Sequence, residues 1–134
     1  MKNYLLHVEY WSKSSKRDYR TMLGLFRIKR YSDSLFYGHI VLEKMLKALV
    51  VQKTKDIAPR THDLNILADL AGMKIDKDDA EFLKTVTRFN IKTRYPDFKL
   101  NFYKACNFKY TSENIKKIKI FYLKLCQKVK LKKS

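Results

Sequence analysis

The sequence predicts an all-α fold, an up-and-down bundle of roughly four to five helices formed by one domain over residues 1–134. Three glycines and two prolines are too few for a sheet protein, whose strands need turn residues about every eight to twelve positions. Apolar residues instead recur at steps of three and four, the spacing of one helix face. With 46% hydrophobic and 32% charged residues, the chain can bury a core and is not expected to be disordered.

The first two helices are the longest that the pattern predicts. The first is expected over about residues 3 to 29, with Gly24 weakening it by about 1 kcal/mol relative to alanine. The second is expected to be capped by side chains of residues 32–34 and to fade near Lys53, before Pro59. Their apolar faces comprise Tyr4, Val8, Trp11, Tyr19, Met22 and Phe26 in the first helix and Leu35, Gly38, Leu42, Met45, Leu46 and Leu49 in the second.

Capping signals define the next two elements. Thr61 or Asp63 can cap a short helix, because either side chain can accept from the first unpaired backbone amides. Gly72 can end that helix in the left-handed conformation. Acidic residues at positions 76, 78 and 79 then place negative charge at the positive end of the following helix.

Pro96 lies at the start of the last third of the chain and is expected to stop the preceding helix. Residues 94–109 are predicted to form an irregular connection rich in aromatic residues. Ser112 is predicted to cap the final helix.

The net charge of +17 at pH 7 exceeds what solubility alone requires. A surface of this kind suits an anionic partner: nucleic acid, nucleotide phosphates or an acidic protein. The alternative is a lysine-rich composition inherited from an AT-rich genome. In either case, the net charge is informative about which partners the protein can bind and not about its fold.

Several classes of site are excluded by the motifs. Two cysteines are too few for a disulfide framework and lack the paired spacing of a zinc site. No glycine-rich phosphate loop is present, and the acidic residues near position 78 suit a helix start better than a metal loop. We therefore expect no metal and no cofactor. Because no apolar run could span a membrane and the N-terminus lacks a signal-peptide pattern, we expect a cytoplasmic protein.

Two histidines are candidates for chemistry, and each has a structural alternative. His39 lies one turn before Glu43, where an imidazole could act as an acid or base or simply pack in the bundle. His62 stands at the start of the short helix, where it could fix the turn or contact a ligand.

Arg94 and Tyr95 suggest a site for a nucleotide or single-stranded RNA. A guanidinium can hold a phosphate through a bidentate pair of hydrogen bonds, and a tyrosine can stack on a base. Alternatively, Tyr95 packs in the core and Asp97 pairs with Arg94. Arg88, on the same predicted helix, is a further candidate for anion binding.

Four short motifs in this order resemble the HEPN family of small prokaryotic helical domains, and the resemblance covers about residues 8 to 126. A tryptophan and an aspartate lie on the first helix, a His…Glu-Lys…Lys-Ala pattern on the second, then Thr-His-Asp-Leu and Arg-Tyr-Pro-Asp segments. The matching residues are Trp11 and Asp18; His39, Glu43, Lys44, Lys47 and Ala48; Thr61 to Leu64; and Arg94 to Asp97.

The resemblance implies a nucleotide- or RNA-associated binding module. It also implies a homodimer that works beside a minimal nucleotidyltransferase, in some cases as a toxin–antitoxin pair. The candidate binding residues are Arg94, Tyr95 and Asp97, with Arg88, His39, Glu43, Lys44 and Lys47 at their flanks.

The sequence departs from the HEPN proteins that cleave RNA. Those carry an arginine followed about four to six residues later by a histidine, whereas here Arg94 follows Arg88 with five residues between them. An arginine cannot act as a general base near pH 7, so an enzyme is not expected. Two alternatives remain open: a metal-independent endoribonuclease that uses His39 or His62, and an adaptor that binds a protein partner.

Overall fold

The computed structural model describes residues 1–131 and contains six α-helices and no strand in that range. The predicted all-α bundle is thereby confirmed. No helix in the range is long and apolar enough to cross a membrane. The helices are α1 (Tyr4–Arg27), α2 (Tyr31–Thr54), α3 (Leu64–Leu70), α4 (Lys77–Arg94), α5 (Pro96–Ala105) and α6 (Phe108–Lys128).

Helix α2 lies at the centre and packs against each of the other five helices. More than half of its 24 residues are buried, and they lie on all sides of the helix. A helix buried all round is expected to be hydrophobic all round. Helix α2 largely is, apart from a polar set that includes His39 and Lys47.

Small polar side chains join α1 closely to α2. The Ser15 hydroxyl donates to the Val41 carbonyl at 2.7 Å, and the Ser34 hydroxyl donates to the Met22 carbonyl at 3.2 Å. All of these groups lie in the interior, where an unpaired hydroxyl would be costly. The two bonds therefore fix how the two longest helices pack.

Hydrogen bonds at the start of α3 fix the segment that precedes this helix. Asp63 is the residue that caps α3, since its carboxylate accepts from the amides of Asn65 and Ile66. The amide of Leu64 donates to the Thr87 hydroxyl on α4. Gly72 adopts the predicted left-handed conformation, with φ of 74°. These contacts position the residues just before α3, including His62.

Asp76 caps α4 by accepting from the Asp79 amide, as predicted from the acidic residues at the start of this helix.

The prediction of an irregular connection over residues 94–109 is wrong, because α5 occupies most of it. Pro96 ends α4 but also starts α5, since the first helical position needs no amide hydrogen and favours the φ of proline. Phe102 anchors α5 by packing on Phe89, with ring centroids 5.5 Å apart.

Two predicted caps are also wrong. Helix α6 begins one turn before Ser112, and the Asn107 side chain caps it by accepting from the Tyr110 amide. Helix α2 begins at Tyr31 without a side-chain cap, and Asp33 pairs with Arg30 instead. Asn107 is as good a capping residue as serine, and the sequence alone does not rank the two.

The glycines of α1 and α2 should respond oppositely to alanine. A Cβ at Gly24 would meet nothing within 4 Å, whereas one at Gly38 would lie 2.5 Å from Cδ1 of the buried Ile118. We expect Gly24→Ala to stabilise the fold by about 0.5–1 kcal/mol. Gly38→Ala should destabilise it, because overpacking costs about 1–3 kcal/mol. Urea denaturation of both variants checks this, and a stabilised Gly38→Ala would contradict the packing described here.

Candidate functional site

Glu43 is the centre of a polar network on α2. Its side chain is 12% exposed, and its two carboxylate oxygens contact different partners. Oε1 lies 2.7 Å from Nδ1 of His62, and Oε2 accepts from the Lys47 ammonium at 3.1 Å. His39, Glu43 and Lys47 stand four residues apart and therefore share one face of α2.

The hydrogen bond to Glu43 sets the proton positions on His62. A carboxylate only accepts, so Nδ1 of His62 carries the hydrogen that is donated to Oε1. In the neutral ring, Nε2 is then the nitrogen that can take up a proton. Because the His62 side chain is 59% exposed, this histidine is backed by a buried carboxylate and remains open to a ligand.

His39 is the buried member of the pair and is 1% exposed. Its Nε2 lies 2.8 Å from the His62 carbonyl oxygen, which only accepts, so Nε2 carries the hydrogen. Its Nδ1 has no hydrogen-bond partner. Burial lowers the pKa of His39 below its usual value and outweighs the hydrogen bond to the His62 carbonyl and the nearby Glu43 carboxylate, which both raise it. His39 is therefore a neutral donor that holds the loop before α3.

Two residues of α1, Asp18 and Trp11, contact lysines of α2. The Lys44 ammonium contacts the Asp18 carboxylate and the Ser14 hydroxyl, each at 2.7 Å. The Lys47 ammonium lies 5.2 Å from the ring centroid of Trp11, a cation–π distance. Both lysines are thus engaged within the protein.

A cavity of about 260 Å³ opens beside this network; we call it the Arg94 cavity. Arg94 is the last residue of α4, and Asn90 lies one turn earlier on the same helix. The Arg94 guanidinium lies 5.6 Å from the Phe36 ring centroid. No ion pair joins Arg94 to a carboxylate among residues 1–131. The cavity is lined by Asp18, Tyr37, His39, Ile40, Glu43, Lys44, His62, Asn90 and Arg94.

The structure brings together some of the residues that the sequence predicted and separates others. Arg94, His39, Glu43 and Lys44 line the cavity, and Lys47 joins them through Glu43. The other three predicted residues do not line it. They are Tyr95, exposed between α4 and α5, Asp97, exposed in the first turn of α5, and Arg88, exposed on α4.

Three lining residues were missed by the sequence interpretation: Asn90, Tyr37 and Ile40. Asn90 could have been found, because it precedes Arg94 by four positions on a predicted helix and such residues share a face. Tyr37 carried no comparable signal. It is one of nine tyrosines in the chain, and its position depends on how the helices pack.

The lowered pKa of His39 predicts a fold that weakens in acid. In the unfolded chain His39 protonates near its ordinary pKa of about 6.5, while in the folded chain it resists protonation. Stability should therefore fall as pH drops from about 7 to about 5, by at most about 1.4 kcal/mol per pH unit from this group. A His39→Gln variant should show a shallower slope in urea denaturation at each pH. His7→Gln, at an exposed position on α1, should keep the wild-type slope, and equal slopes for all three proteins would contradict the assignment.

Comparison with known proteins places this geometry in a family. The family model described as HEPN domain matches residues 8–130, which confirms the resemblance drawn from the motifs. Comparisons with curated proteins and with solved structures gave no match. Membership supports a nucleotide- or RNA-related module at the level of the family. Since the match spans nearly the whole chain, the chain belongs to the HEPN domain family.

Proposed function

We propose that this HEPN chain is a binding module for a nucleotide or for RNA, and that Arg94 holds a phosphate of the ligand. The observation that carries the proposal is the Arg94 guanidinium, which lines an open cavity and forms no ion pair within residues 1–131. Guanidinium is the side-chain group whose geometry matches two oxygens of one phosphate.

Charge pairing around the cavity supports an anionic ligand. Asp18 is neutralised by Lys44, and Glu43 is neutralised by Lys47. Arg94 therefore adds a positive charge that nothing in the immediate network offsets. Contact of its planar group with Phe36 fixes its orientation, which reduces the entropy lost when it binds a phosphate.

The size of the cavity limits what it can hold. Sites for whole small ligands are usually about 300–1,000 Å³, and this one is about 260 Å³. We infer that it takes the phosphate end of a ligand while the rest extends outside. The amide of Asn90 and the ring of His62 line the same space and are suited to hydrogen bonds with phosphate or sugar oxygens.

The resemblance of the motifs also suggests a partner. We propose that the chain forms a homodimer and works beside a minimal nucleotidyltransferase, as one half of a toxin–antitoxin pair. This part of the proposal rests on the resemblance of the motifs to those HEPN proteins. It is compatible with the binding role, since both place the chain next to nucleotide chemistry.

Removing Arg94 should weaken binding of a nucleoside 5′-diphosphate specifically. A hydrogen bond to a charged group contributes about 1.5–3 kcal/mol, so Arg94→Ala should lose roughly 10- to 100-fold in affinity. Titration calorimetry in EDTA, at about 50 and 200 mM salt, measures this. Arg88→Ala is the matched control, because it removes the same charge from an exposed position on the same helix. Equal losses in the two variants, together with collapse at high salt, would mean that only diffuse positive charge binds the ligand.

A second candidate function is metal-independent cleavage of RNA, and the His62–Glu43 pair is the observation that favours it. Nε2 of His62 could accept the proton of a ribose 2′-hydroxyl while its oxygen attacks the adjacent phosphorus. The bond from phosphorus to the 5′ oxygen then breaks, water supplies the proton to the leaving oxygen, and a 2′,3′-cyclic phosphate remains. Arg94, in the same cavity, would stabilise the negative charge of the transition state.

Cleavage by this route should depend on His62 and not on metal. We expect wild-type protein to cut single-stranded RNA in EDTA and to leave 2′,3′-cyclic ends, and His62→Ala to lose at least about 100-fold in rate. His7→Ala, at an exposed position on α1, should cleave at the wild-type rate. Product analysis on denaturing gels checks both. Binding without any cleavage would reject this candidate and leave the binding module.

A further inference from the structure

Two more cavities, both lined by residues of α5, lie next to the Arg94 cavity. The next one, of about 180 Å³, shares Arg94 with it and is also lined by Lys99 and Asp33. The third, of about 510 Å³, shares Lys99 and Asp33 with the second and reaches Tyr103. Each cavity shares at least one lining residue with the next, and we call the three together the α5 trough.

One face of α5 forms the far wall of the α5 trough. Pro96, Lys99, Leu100 and Tyr103 all line the third cavity, and their spacing of three, four and seven residues puts them on one helix face. Leu100 is 61% exposed and Tyr103 is 68% exposed. Helix α5 packs on the core through Phe102, which is buried and also lines the second cavity. The exposed face therefore offers an aromatic ring and a lysine to solvent and to a ligand.

The charges along the α5 trough are unbalanced towards positive. Each carboxylate that lines it is already in an ion pair: Asp18 with Lys44, Glu43 with Lys47, and Asp33 with Arg30. Three cations that line it, Lys29, Arg94 and Lys99, form no ion pair within residues 1–131. The groove therefore presents unpaired cations spaced along its length. Such a row suits a ligand with repeated negative charges.

We propose that the α5 trough binds a single-stranded oligonucleotide of several nucleotides, a proposal that rests on the proposed function of Arg94. One phosphate lies at Arg94, the following backbone passes Lys99 and Lys29, and a base stacks on Tyr103. Cations that follow a backbone, combined with exposed aromatic rings, are the means by which proteins bind single strands. A partner protein with an apolar helix suits the groove less well, since docking it would bury Lys99 and Lys29 without counter-charges.

The test is a length series. Affinities for UDP and for 5′-phosphorylated uridine oligonucleotides of two, four and eight residues are measured by fluorescence anisotropy or calorimetry in EDTA. We expect affinity to rise from UDP to the longer oligonucleotides. Tyr103→Ala should lose roughly tenfold for the octamer, as expected for one lost stacking contact, and should bind UDP like the wild type. Tyr103→Phe should retain octamer binding, because the ring is kept.

Tyr10→Ala is the matched control. Tyr10 is 61% exposed and lines none of the three cavities, so its loss should change neither affinity. If Arg94→Ala leaves UDP binding unchanged, the proposed function fails and this inference fails with it. If UDP binding needs Arg94 but Tyr103→Ala and Tyr10→Ala bind the octamer equally, this inference alone is overturned. It is likewise overturned if Tyr103→Ala disrupts a complex with a protein but leaves octamer binding intact.

Discussion

Burial of α2 on all sides is the constraint on which the site depends. The helix packs against the other five, so the charged groups that it buries need a partner inside the protein. Glu43 and Lys47 satisfy each other, and an unpaired charge left in that position would cost several kcal/mol. Removing either one therefore threatens the fold as well as the site. A binding experiment that alters Glu43 or Lys47 must measure stability alongside affinity, whereas Arg94 and Tyr103 are exposed and can be changed with less risk.

The loop before α3 connects this buried network to the Arg94 cavity. The His62 backbone carbonyl accepts from His39, and its ring donates to Glu43, so one residue is tied to α2 at two points. The adjoining Asp63 caps α3. Within the Thr-His-Asp-Leu motif, capping therefore belongs to Asp63, and His62 is left to contact α2 and the cavity. The His39 Nε2 hydrogen holds the His62 backbone, and Glu43 orients the His62 ring. The loop, His39 and Glu43 therefore depend on one another for their positions. Exposure of such a loop usually lowers its local stability, and these two bonds oppose that tendency.

Local sequence signals predicted most of the helices but not which residues meet at the site. The spacing of apolar residues identified α1 and α2, and Asp76 and Gly72 marked boundaries, because caps act on neighbouring residues. Helix α5 was missed because Pro96 signals an end and a beginning equally well. Tyr95 and Asp97 were grouped with Arg94 by adjacency, but α4 ends at Arg94 and the chain then turns away from the cavity. The pairs that build the site join α1 to α2 and α2 to the loop, across 19 to 30 residues, and no local pattern encodes such contacts.

Charge acts in this protein through pairing and not through its net value. Another cavity, of about 680 Å³ between α4 and α6, is lined by four carboxylates and two lysines and would repel a phosphate despite the net charge of +17. Around the α5 trough the carboxylates are fewer, and each is held by a cation. Three other cations there, Lys29, Arg94 and Lys99, form no ion pair among residues 1–131, an arrangement that favours an anion on this side of the bundle. A lysine-rich composition alone would raise the potential everywhere, by an amount that salt screens. We propose that the arrangement of the acidic residues, and not the net charge, makes this groove favourable for an anion through Arg94, Lys99 and Lys29.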